Sequence, residues 1–155
     1  LQHGIRVIEF QTPHYERLIV MFAQKVLTQD HWDTERAIRL LNTEPYQLPE
    51  PVSLIKENGF IEERIVDFPD FTVERIQKLK TISKEFCCEG NYHLLICVSG
   101  VAHLESESGK INELLPGPAF LLAAGTRSYR ISNKVSGTLI FLRAVPVKNT
   151  MGAQD

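Results

Sequence analysis

Few side chains in this sequence combine a reactive type with a suggestive neighbourhood. Arg17 follows the Thr12-Pro13-His14 bend. A guanidinium there could stabilise an oxyanion or hold a phosphate in its planar fork; the competing reading is a surface cation. Glu9 and Gln11 share one face of a strand-like run, as a polar pair turned to solvent or to a site. Arg127 and Tyr129 are two residues apart, so alternation puts them on one face. Together with Arg143 they would suit an anionic small molecule at a barrel mouth, or make an outer-face salt bridge. His93 and His103 are ten residues apart in a predicted strand pair, and each could point inward. Cys87 and Cys88 have no base or cation cluster beside them in sequence, so a reactive thiol is not expected.

A metal needs several ligands converging on one point. No Cys/His spacing here matches a structural zinc site, and no metal ligand is assigned in this chain. The cysteines number three, two of them adjacent, which argues against a disulfide framework and for a reducing, cytoplasmic setting.

The elements that would position these groups are mostly strands. Ile5–Gln11 alternates as a strand, and Tyr15–Leu27 fits either a helix or a buried strand. Asp33–Asn42 reads as a helix, with Asp33 as N-cap, Glu35 in the first turn and an apolar face of Ala37, Ile38, Leu40 and Leu41. Glu44–Pro51, with three prolines, reads as a linker. Strands are then expected at Ile61–Phe68, Phe71–Ile76, Ile82–Cys87, Leu94–Val98, Val101–Glu105, Ala119–Ala123, Arg127–Ser132 and Thr138–Val145. The continuous apolar run Leu94–Val98 suggests burial on both faces. Ser108-Gly109 is a hairpin signal. Such regularly spaced short strands predict a mostly β fold, a jelly-roll barrel over residues 52–147, preceded by an N-terminal strand-plus-helix segment over 1–51 and followed by a tail over 148–155.

At 155 residues with net charge -2, the chain has no basic block to attract nucleic acid or an anionic membrane. Its apolar runs fall short of the ~20 residues a membrane helix needs. It opens at Leu1 and enters a strand-like run at once, which suggests part of a longer protein.

Two stretches resemble cupin motifs: His93–Glu105 (HLLICVSGVAHLE) and Leu114–Ile131 (LLPGPAFLLAAGTRSYRI). Metal-binding cupins take two His and a carboxylate from the first motif and a further His from the second. Here the second motif carries Gly125-Thr126-Arg127-Ser128 instead. Taken in order, RVIEFQTPHYERL, HWDTERAIRLL, DFTVERIQ and the two cupin-like stretches resemble the C-terminal part of type I mannose-6-phosphate isomerases.

The resemblance implies a two-cupin parent in which this chain is the metal-free second cupin, residues 1–51 holding the end of a truncated first one. It implies that Zn2+ belongs to the full-length protein, its last ligand His falling just ahead of Leu1, and that Arg17 matches the catalytic arginine. The implied chemistry is aldose–ketose isomerisation of a sugar phosphate through a cis-enediol, zinc acting as Lewis acid and the arginine stabilising the enediolate. It also implies the missing upstream cupin as a partner. Against this stands a non-catalytic module that binds a sugar or small anion, with Arg127 and Tyr129 as substrate-binding residues, or a barrel used for homodimerisation. The isolated chain is expected to lack a cofactor and isomerase activity.

Overall fold

Asn58-Gly59 sets the first turn of the β region: both residues have positive φ, 37° and 84°, as a two-residue hairpin of the type I′ kind demands. It joins β1 (Val52–Glu57) to β2 (Phe60–Asp67). The structure, a computed structural model, describes residues 7–11, 34–45, 47–79, 83–134 and 137–147. The chain divides into two compact units, residues 1–48 and 49–155.

In the first unit, α1 spans Thr34–Leu40, ending two residues before the expected Asn42. Seven residues make two turns, a length that propensity alone does not hold in water. Of the expected apolar face only Ala37 is buried; Ile38 and Leu40 are 56% and 63% exposed. The expected strand at Ile5–Gln11 is also corrected. Val7–Gln11 has no regular structure, with Val7 60% exposed. Alternation makes a strand only where a neighbour accepts its backbone hydrogen bonds, and none does so among the described residues. Arg17, the Tyr15–Leu27 segment and the Asp33 cap lie outside the described residues.

The second unit is two facing antiparallel sheets. After β1 and β2 come β3 (Phe71–Lys78), β4 (Lys84–Cys87), β5 (His93–Ser99), β6 (Ala102–Ser106), β7 (Ile111–Leu114), β8 (Ala119–Leu122), β9 (Ser128–Asn133) and β10 (Leu139–Pro146). One sheet runs β1-β2-β3-β10-β5-β8, the other β4-β9-β6-β7. This is a jelly roll, in which the chain crosses between the sheets from β3 to β4, β4 to β5, β5 to β6, β7 to β8, β8 to β9 and β9 to β10, while β6 and β7 form a hairpin within one sheet. No continuous ladder joins the sheets among the described residues, so they face each other rather than close into a barrel.

The predicted strands fall within a few residues of their observed positions, except that β1 and β7 were not foreseen. β5 alternates: His93, Leu95 and Cys97 are buried, Leu94 and Ile96 half-buried and Val98 exposed. Only its inner face therefore packs fully, against the expectation of burial on both. Gly100, between β5 and β6, has φ +88, and a Cβ there would sit 2.9 Å from the Thr138 carbonyl oxygen, so the turn admits only glycine. The β6–β7 hairpin turns at Ser108-Gly109, tied by Gly109 N–H donating to the Ser106 carbonyl at 2.9 Å.

The interior holds Phe60, Ile76, Phe86, Leu95, Leu104, Tyr129, Ile131, Leu139 and Phe141, each at most 5% exposed. Phe86 stacks on its cross-strand partner Tyr129 at 5.3 Å within one sheet, and meets Phe141 of the other sheet edge-on at 5.9 Å. Burying side chains of this size contributes about 1.5–3 kcal/mol each and is what holds the two sheets together.

Candidate functional site

Glu62 on β2 shares the inward face with Phe60, and Glu74 on β3 shares it with Ile76, so strand alternation drives two carboxylates into the interior. Arg143, inward-facing on β10, meets both. Its Nε donates to Glu74 Oε2 at 2.9 Å and its Nη2 to Glu62 Oε1 at 2.6 Å. The register sets this meeting, since Arg143 is paired with Glu74 and Glu74 with Arg64. The three side chains are only 13%, 7% and 7% exposed. The guanidinium also lies 5.0 Å from the centre of the Phe86 ring.

Burial raises the Glu62 carboxyl above its usual range, although Arg143 opposes this. Burial alone would lower Arg143, but Tyr129, Glu74 and Glu62 together hold it up. Pairing offsets only part of the desolvation cost of each member.

His93, at the start of β5, is 4% exposed, and its Nδ1 lies 3.0 Å from the Tyr129 hydroxyl. Burial, with Arg143 nearby, brings the imidazole down to about 4, so it is neutral at pH 7. Burial pushes the Tyr129 phenol and the Cys88 thiol upward. Cys88 Sγ is 4.0 Å from His93 Nδ1, but a protonated thiol beside a neutral imidazole is not an activated nucleophile. Cys87, Cys88 and Cys97 are all free.

These groups surround one end of the jelly roll, the mouth. A recess of about 250 Å³ opens there, lined by Arg64, Thr72, Glu74, Asn91, His93 and Arg143 among others. Arg64 is held loosely: its Nη1 is 3.5 Å from Asp67 and its Nη2 3.7 Å from Glu74, and its buried Nε has no acceptor among the described residues.

The far end is different. Lys78, at the end of β3, is fully buried, and its Nζ donates to the Ile131 carbonyl at 2.7 Å. No carboxylate pairs with it among the described residues, and burial lowers the ammonium to about 8.

The sequence-predicted site residues do not assemble. Tyr129 is 1% exposed in the core, whereas the Arg127 side chain is 90% exposed and ion-paired with Glu107 at 3.2 Å. Arg127 lies one residue ahead of β9, so alternation does not extend to it. Arg143 joins Tyr129 inside, and Arg127 stays out. His93 faces the interior; His103 is on the opposite face of β6 from the buried Ala102 and Leu104, so the two histidines cannot share a metal. Among the described residues no three His, Cys, Asp or Glu side chains are placed to hold one, and a zinc does not fit this mouth. Sequence reasoning missed Glu62, Glu74, Arg64 and Lys78. The signal was present: alternation puts each of the first two in register with a large apolar neighbour.

No family model matches the sequence, and no curated protein matches it. Solved structures do match the fold. The cupin domain of an XRE family transcriptional regulator from Enterobacter cloacae aligns at TM-score 0.51 and 15% identity, over 57% of this chain and 96% of that one. A conserved protein with a double-stranded β-helix domain from Klebsiella pneumoniae aligns at TM-score 0.54 and 17% identity, over 62% and 80%. KdgF from Halomonas sp. aligns at 0.52 and 19% identity, over 64% and 92%. At these identities the likeness shows the fold: a cupin-type double-stranded β-helix.

Proposed function

We propose that this chain is a supporting, metal-free cupin of a mannose-6-phosphate isomerase-like parent. The order of its motifs supports the parent. One observation carries the supporting role: at the mouth, Arg143 is committed to Glu62 and Glu74 at once. A guanidinium held by two carboxylates is neutralised and positioned for structure, not for charge developing on a substrate. In this reading the upstream cupin is the partner, and zinc and the base belong to it. Arg17 stays a proposal as the residue this chain lends to catalysis.

The test is an isomerase assay with mannose 6-phosphate and added zinc, run on this chain and on the longer protein. The reading expects turnover from the longer protein and none from this chain. Turnover by this chain alone, or none by the zinc-loaded longer protein, overturns it.

A second reading, a sugar- or small-anion-binding module, is favoured by the recess beside the loosely held Arg64. The two readings are compatible, since one concerns Arg143 and the other its neighbour.

A further inference from the structure

The two arginines at the mouth are not equivalent. Arg143 has its Nε and Nη2 filled by carboxylates at 2.9 and 2.6 Å. Arg64 has only the longer contacts at 3.5 and 3.7 Å, and its Nε is buried with no acceptor among the described residues. Its loosely held Nη1 and Nη2 leave the guanidinium able to turn a donor toward an acceptor in the recess. Asn91 lines the same recess, at the end of the turn that its N–H closes on the Cys88 carbonyl, and its side chain makes no hydrogen bond among the described residues. An amide offers both donors and an acceptor.

Charge selects the ligand class. At the recess, Arg64 and Arg143 stand against the two carboxylates that contact them, Glu62 and Glu74, so cations and carboxylates balance. A phosphate dianion would meet no net attraction there. A hydroxyl-rich neutral molecule would take donors from Arg64 and Asn91 and offer donors to Glu74. Size limits it too. About 250 Å³ is below the ~300–1,000 Å³ of sites for drug-sized ligands, which leaves room for a molecule no larger than a single sugar ring.

We propose that the mouth recess binds a small uncharged polyol of monosaccharide size, held by Arg64 and Asn91. The proposal deepens the binding-module reading and rests on it. It makes the bound species a free sugar, not a sugar phosphate, so the recess would sense or store a dephosphorylated compound beside an enzyme of phosphorylated ones.

The test is isothermal titration of the purified chain with mannose, fructose and mannose 6-phosphate. The expected result is saturable heat with at least one free sugar and at least about tenfold weaker binding of the phosphate ester. Arg64→Met and Asn91→Ala should each weaken the free sugar about tenfold. Asn91 is in a turn outside the ladders, so its variant reports binding even where Arg64→Met fails to fold. Tighter binding of the phosphate ester, or unchanged affinity in Asn91→Ala, overturns the uncharged-ligand assignment while leaving a binding module. Absence of saturable heat with all three overturns both.

Discussion

The two ends of the jelly-roll interior bury charge in opposite ways. At the mouth, Arg143 is enclosed by Glu62 and Glu74, and neutral His93 leans on Tyr129. At the far end, Lys78 is more deeply buried, yet it has one carbonyl oxygen as its partner and, among the described residues, no carboxylate. A paired ion keeps its charge inside; an unpaired one gives ground, and the Lys78 ammonium drops to about 8. The difference teaches which buried polar groups are structural elements of the fold and which are liabilities it tolerates.

Opposite responses to substitution would sharpen the comparison. Arg143→Met should have the largest effect, a loss of about 3–5 kcal/mol, because it strands Glu62 and Glu74 without their cation. Urea denaturation measures it. Replacing Glu62 and Glu74 by apolar residues in the same variant should restore most of that loss. If the single change is neutral, the mouth is not held by its network.

His93 makes the mouth acid-sensitive. Its folded value of about 4 lies below the ordinary 6.5, so the unfolded chain binds more protons in between. The stability this gives is full above pH 6.5 and is lost as pH falls toward 4, by up to about 3 kcal/mol. Glu62, shifted upward, acts with the opposite sign as acid protonates carboxyls. The comparison of wild type with His93→Gln therefore isolates the imidazole. Thermal melts across that range should lose most of their downward slope in the variant.

Lys78 should respond the other way. Lys78→Met removes a buried ammonium and keeps the apolar stem volume, so it should stabilise the chain by about 1–3 kcal/mol at pH 7. Wild type should gain stability between pH 8 and 10.5, where the unfolded lysine still holds its proton and the folded one releases it. Destabilisation in Lys78→Met would erase the contrast between the two ends.

The β region was legible because its turns carry their own chemistry. Gly100, Ser108-Gly109 and Pro116-Gly117 mark breaks that the structure keeps. β1 was missed although Asn58-Gly59 announced its hairpin, because the Pro-rich composition before it drew attention to a linker. The mouth was only half legible. Arg143 and His93 were noticed, but Glu62 and Glu74 look like solvent residues until the register sets Glu74 opposite Arg143 and the Glu62 side chain reaches across β3 to the same guanidinium. Which strand end meets which is a property of sheet order, and no local pattern encodes it. Arg127 was misplaced for a similar reason, since alternation holds only inside a strand and β9 starts at Ser128.

The central claim is that Arg143, Glu62 and Glu74 at the mouth satisfy one another, and that the described residues there do not converge on a metal. Elemental analysis of the purified chain, after incubation with zinc and removal of the excess, tests it most directly. The account predicts zinc far below one atom per chain. One tightly held zinc per chain would contradict it.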